Sequence, residues 1–137
     1  YTDLILVIYT AAVSGADNVK IQFNSDTGTN YSTTMVSGTG SAANSSRWST
    51  ESSIRTDYYG YPPSTLGSSK IIQINDYTNT TTYKTALIRN GAAAQGVEAA
   101  VGLWRSTAAI NSITVTWTLN FASGSTFKLY GIEAGNQ

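Results

Sequence analysis

The strongest constraint on this chain is a run of strand-period alternation near its C-terminal end, residues 111–132, NSITVTWTLNFASGSTFKLYGI. Ile113, Val115, Trp117, Leu119 and Phe121 alternate with Ser112, Thr114, Thr116, Thr118 and Asn120. After Ala122-Ser123-Gly124-Ser125 a second alternation sets Phe127, Leu129 and Ile132 against Thr126, Lys128 and Tyr130. A period of two is that of a strand half in the core and half in solvent, and a helix cannot sustain it. The segment therefore reads as a β-hairpin whose inward residues supply much of the core. Its other face is nearly all Thr, Ser and Asn. Such a face suits contact with neutral polymers or neighbouring subunits better than acid–base chemistry.

Composition points the same way. More than a quarter of the residues are Ser or Thr. Both are mediocre helix formers, whereas Thr fits strands and Ser fits turns. The 137 residues suffice for one domain, 1–137, and are too few for two ordinary ones. Charged residues make up 12% of the chain, against about 25% in ordinary soluble domains. Eight basic and eight acidic residues cancel, so no basic footprint for nucleic acid is expected. Nor is there a basic amphipathic stretch for a membrane surface. The apolar run of residues 4–8 is too short to span a bilayer and lacks the basic flank of a signal peptide. It reads as a strand, and the chain as part of a longer polypeptide. Without Cys there is no disulfide framework, and without His the commonest general base and metal ligand are missing.

Read along its length, the chain gives strands and loops. Residues 4–13 form an apolar run expected to be a central strand buried on both faces. Strands follow at 19–24 and 31–36, separated from their neighbours by turns at 14–18 and 25–30. Residues 37–46 read as a low-complexity loop, 52–56 as a short strand, and 58–64 as a loop held out of any sheet by Pro62 and Pro63. Further strands are expected at 70–76, 83–89 and 97–104, with a turn signal at Asn90-Gly91. Residues 92–95 read as a helical turn and 106–110 as a helical turn or bend. The sum is about eight strands in a jelly-roll-like antiparallel β-sandwich, an immunoglobulin-type sandwich being the second choice.

Two motifs carry a resemblance. Residues 21–31 fit IxFNxDxGxNY through Ile21, Phe23, Asn24, Asp26, Gly28, Asn30 and Tyr31. The tail fits STxAIxxI from Ser106 to Ile113, then FxxGSxFxLYGI from Phe121 to Ile132. Both resemble a domain of structural proteins of marine tailed bacteriophages, especially those of cyanobacteria, where it lies at or near the C-terminus of fibre-like or virion-surface proteins. The opening residues 1–6 are similar to that family's first strand. Residues 47–66 fit no family pattern. The resemblance implies a non-enzymatic virion-surface domain, extracellular, acting as a tail-fibre tip or capsid decoration. It implies sister subunits in a homotrimer, other virion proteins and a host surface glycan as partners.

Candidate sites are few. Tyr58, Tyr59 and Tyr61 cluster in one loop with Trp48 and Arg47 near in sequence, and Tyr and Trp offer rigid contact area with a polar tip. They are the expected contact residues for a partner subunit or a sugar, so a secreted carbohydrate-binding module is the alternative function. Asp26, between Asn24 and Asn30, is an outside candidate for Ca²⁺, with Asp76 further behind. No EF-hand spacing is met, and Asp before Gly is ordinary turn chemistry. The carboxylates Asp26, Glu51, Asp57, Asp76, Glu98 and Glu133 read as turn and strand-end residues, and no enzyme activity or cofactor is expected. Trp117 shares the parity of the core residues, while Trp104 beside Arg105 reads as half-exposed.

Overall fold

The computed structural model describes residues 1–11, 17–59 and 66–135. Among them ten antiparallel strands form, with no helix. These are β1 (Asp3–Thr10), β2 (Lys20–Phe23), β3 (Tyr31–Gly38), β4 (Ala43–Glu51), β5 (Ile54–Arg55), β6 (Ser68–Ile74), β7 (Lys84–Ala92), β8 (Gly96–Trp104), β9 (Ile113–Thr116) and β10 (Thr126–Ile132). Seven of them build one sheet in the order β10-β1-β6-β7-β8-β3-β4, and three build a second in the order β5-β2-β9. The all-β antiparallel sandwich expected from the alternation is what the chain forms.

The alternation also explains the core. Register aligns Leu6 with Ile72, Ile72 with Ile88, Ile88 with Ala100, and Ala100 with Met35. One row of five buried side chains thus crosses five strands on the inner face. Ile21, Phe23 and Ile54 face it from the small sheet and belong to the same buried cluster. Burying a side chain of this size contributes about 1.5–3 kcal/mol. Gly102 lets the two sheets meet, since a Cβ there would collide with the side chain of Ile54.

Several sequence expectations are corrected. Residues 111–132 are not a hairpin: β9 pairs with β2 in the small sheet, while β10 pairs with β1 at the edge of the large one. Every residue of β10 is exposed, because the three-stranded sheet does not reach that edge. Ile113, Val115, Phe121, Phe127 and Leu129, with Leu6, instead line an open apolar cleft of about 410 Å³. Trp117 packs at a tilt against Phe121 beside that cleft and lies outside the main cluster, whereas Trp104 is buried within it. The strand expected at 4–13 is β1, one place in from the edge; its outward Ile5 and Val7 are half-buried and Tyr9 is exposed. Residues 37–46 are a hairpin, with the Thr39 N–H bonded to the Ala42 carbonyl at 3.0 Å. Asn90-Gly91 lies inside β7, and the reversal falls at residues 93–95. Residues 106–110 form a bend. The parts of the expected features at Val13, 14–16 and 60–65 lie outside the described residues.

The IxFNxDxGxNY motif proves to be a folding clasp. Asn24 and Ser25 both take positive φ, 53° and 56°, and the Asp26 N–H closes the turn onto the Phe23 carbonyl. Asn24 donates to the Ala109 carbonyl and accepts from the Asn111 and Ser112 N–H groups, fixing the approach to β9. The Asp26 carboxylate accepts from the buried Trp104 indole at 2.7 Å, from Asn30 and from the Gly28 N–H. The Tyr31 hydroxyl donates to the Asp26 carbonyl and lies beside both main-chain groups of Phe23. Phe23, Tyr31 and Trp104 pack with ring centroids 5.6–6.5 Å apart.

The Trp104 bond, then those from Asn30 and Gly28, hold the Asp26 carboxyl below its ordinary value. A depressed folded-state pKa stabilises the fold above the unfolded value, about 3.9, and that contribution is lost as pH falls through the folded value. Asp26→Ala leaves the buried indole donor without its acceptor and should cost about 2 kcal/mol at neutral pH. Urea unfolding should show the gap between wild type and variant narrowing as pH drops below about 4.

Candidate functional site

Next to the apolar row, two residues further along each strand, the inner face of the large sheet turns polar. Ile8 pairs with Lys70, Lys70 with Asn90, Asn90 with Glu98, and Glu98 with Ser37. Lys70 is 0% exposed, Glu98 3% and Asn90 5%. Charges so placed persist only if hydrogen-bonded and paired. Their partners arrive on the segment after β5. Lys70 Nζ lies 2.8 Å from Asp57 Oδ2 and donates to Ser68 Oγ at 2.6 Å. Asp57 Oδ1 accepts from the Val19 N–H at 3.1 Å and from Asn18 Nδ2 at 3.2 Å. The Glu98 carboxylate accepts the Tyr58 N–H at 3.0 Å and the Tyr59 N–H at 2.6 Å. Asn90 donates to the Thr56 carbonyl, and Thr56 in turn bonds Val19. Residues 56–59 are thereby strapped across the end of the sandwich.

Burial raises the Asp57 carboxyl above its ordinary value, although the charge of Lys70 and its hydrogen bonds oppose this; the charge of Glu98 adds to the rise. The Lys70 ammonium and the Asp57 carboxylate meet with both side chains 0% exposed.

On this base stands an aromatic cluster. Trp48 and Tyr58 lie 5.4 Å apart between ring centroids, and Tyr58 meets Tyr59 edge-on at 4.8 Å. The Arg55 guanidinium sits 5.0 Å over the Trp48 ring and bonds Glu51 at 3.1 Å. Tyr58 is 41% exposed. Tyr59 tucks against Gly96, where an added Cβ would come 3.4 Å from that of Tyr59 and 2.8 Å from the Gly38 carbonyl.

Of the residues singled out from the sequence, Trp48, Tyr58 and Tyr59 come together. Arg47 does not join them: it pairs with Thr34 and is exposed on the opposite face of the sheet, because neighbours along a strand point opposite ways. Arg55 supplies the cation in its place. Tyr61 lies outside the described residues. The Asp26 carboxylate accepts four N–H contacts, from the Trp104 indole, the Asn30 side chain and the Gly28 main chain, and an N–H group donates to the carboxylate without coordinating a cation. Asp76 takes a positive φ of 46° in a turn, and its N–H bonds Asp3. Among the described residues no three of His, Cys, Asp and Glu gather as a metal-binding group. Lys70, Asp57, Glu98 and Arg55 are charged members of this region that the sequence alone does not single out as site residues.

Comparison with known proteins matched no family model, no curated protein and no solved structure.

Glu98→Ala removes the carboxylate that accepts the Tyr58 and Tyr59 N–H groups. It should cost about 3 kcal/mol in denaturant unfolding, the range for breaking a buried charged network. Hydrogen exchange at the Tyr58 and Tyr59 amides should accelerate ahead of exchange in β7 and β8.

Proposed function

We propose that this chain is a non-enzymatic structural domain of a virion surface, packing against sister copies as a homotrimer and touching a host surface through its aromatic cluster. The observation that carries the reading is the outward face of the seven-stranded sheet. Ile71, Leu87, Val101, Val36 and Val97 stand exposed there, between 38% and 65%. Leu87 and Val101 are direct cross-strand neighbours, and Ile71, Arg89, Ala99 and Val36 form the adjoining row. Monomeric domains rarely leave so broad an apolar surface to water, and contact with another protein surface removes it. The hydroxyl face expected to make contacts is that of residues 111–132; the large sheet presents an aliphatic one. The virion setting rests on the two motifs and their resemblance to phage structural domains.

A carbohydrate-binding module is the second reading, favoured by Trp48, Tyr58 and Tyr59 beside Arg55. Aromatic faces flanked by a fixed polar group are what sugar recognition needs.

Sedimentation equilibrium should give three times the chain mass at micromolar concentration. The double variant Leu87→Lys, Val101→Glu, which sets opposite charges across the two strands, should sediment as a monomer, with monomer stability changed by no more than about 0.5 kcal/mol per site. A wild-type monomer would count against self-assembly. Polysaccharide binding lost in Tyr58→Ala, by a protein that stays monomeric, would transfer the assignment to the second reading.

A further inference from the structure

The buried cluster holds more than an ion pair requires. An amine and a carboxyl group lie 2.8 Å apart, both with side chains 0% exposed. A second carboxylate occupies the same polar row, bonded to the N–H of the residue that follows Asp57. Oδ1 of Asp57 is held by two N–H donors, while Oδ2 faces the amine. These are the parts of an acyl-transfer site: nucleophile, electrophile, proton carrier and oxyanion donors.

We propose that Lys70 and Asp57 condense within the folded chain into a side-chain amide, with Glu98 carrying the proton. An ammonium has no lone pair and a carboxylate is a poor electrophile, so the pair must first become neutral. Transfer of one proton from Nζ to Oδ2 does this, and removal from water favours the neutral forms of both groups. Burial already pushes the Asp57 carboxyl in that direction. The Nζ lone pair then attacks Cγ, and the carbonyl electrons move onto Oδ1. The Val19 N–H and Asn18 Nδ2 stand ready for that oxyanion. Glu98 takes the proton from nitrogen and delivers it to the Oδ2 hydroxyl, which departs as water. One C–N bond forms, one C–O bond breaks, and nothing is oxidised or reduced. The 2.8 Å contact to Oδ2 holds Nζ beside the carboxyl group it must attack, which replaces a collision between two solutes.

The amide would join the segment after β5, in the small sheet, to β6 of the large sheet. It would close residues 57–70 into a covalent ring beneath the tyrosines. A chain without cysteine has no disulfide with which to do this.

Intact mass spectrometry of the purified chain should find it lighter than its sequence by one water. Trypsin cannot cleave after an acylated lysine, so digestion should give a peptide of residues 56–84, uncut at 70 and short by one water. Lys70→Arg should restore the full mass. Asp57→Asn should lose ammonia in place of water and give the same cross-link, and Glu98→Gln should slow the reaction at least tenfold. Full mass in the wild-type chain after prolonged incubation in the folded state would overturn the proposal. So would a water loss that persists in Lys70→Arg, which would place the dehydration at Asp57 alone. The wild-type peptide map decides the matter even if a variant fails to fold.

Discussion

Seven strands set side by side make a sheet roughly 29 Å across, while three make one of roughly 10 Å. The small sheet of β5, β2 and β9 therefore covers only part of its partner, and much else in the molecule answers to that mismatch. Where the two sheets overlap, Leu6, Ile72, Ile88, Ala100 and Met35 are sealed against Ile21, Phe23 and Ile54. Beyond one limit of the overlap, β10 is left exposed along its length with an open cleft beside it. At the end of the sandwich toward Ser37 and Lys70, loop segments must serve as the second layer. A loop brings unpaired main-chain groups into the interior, and these need partners. The polar row of Lys70, Asn90 and Glu98 provides them.

This explains how buried charge is tolerated in a chain with so little charge to spend. Glu98 binds two main-chain N–H groups, Asn90 binds a main-chain carbonyl, and Asp57 binds another N–H while facing Lys70. The cluster is connected through the backbone of residues 56–59 as much as through side chains. Replacing one member by an apolar residue would strand the rest, which is why half-satisfied networks are worse than none. Lys84 is handled similarly at the far end of β7. Its Nζ donates to the carbonyls of Thr82 and Thr107, and burial lowers its affinity for the proton.

Much of the sandwich was legible in side-chain parity, and parity also contained what was missed. In the strand expected at 70–76, Ile72 and Ile74 fall on one face, and Lys70 shares their parity. Glu98 likewise shares the parity of Ala100, Gly102 and Trp104. Both charges could therefore have been placed inside, but a lysine at a strand end is ordinarily solvated. Only the partners brought by residues 56–59, distant in sequence, reverse that expectation. Arg47 failed for the converse reason: adjacency to Trp48 in sequence puts it on the opposite face of β4. The supposed hairpin at 111–132 failed because alternation reports burial and period, not pairing. Two strands with matching patterns can belong to different sheets when residues 117–125 carry the chain from one to the other. The Asn24, Asp26 and Asn30 motif was found correctly as a unit, yet its donors and acceptors are spent on Trp104 and the turn before β9.

The distribution of charge bears on how copies of the chain could meet. Of the acidic groups, Asp57 and Glu98 are buried, Asp26 is bonded to Trp104, and Glu51 is paired with Arg55. The outward face of the large sheet keeps Arg89 at its middle strand, with Arg47 and Lys128 on its outermost strands, among aliphatic neighbours. Among the described residues none of these three has a carboxylate partner. With Asp3 at the end of β1 as the acidic residue of the same parity, the middle of this apolar face is marked by the positive charge of Arg89. If two copies stacked face to face about a twofold axis through the middle of that face, each Arg89 would approach its own equivalent, and like charges in a desolvated contact are costly. A neutral chain that shows no charge pattern in its composition thus carries, in its fold, a like-charge cost against one particular stacking of that face.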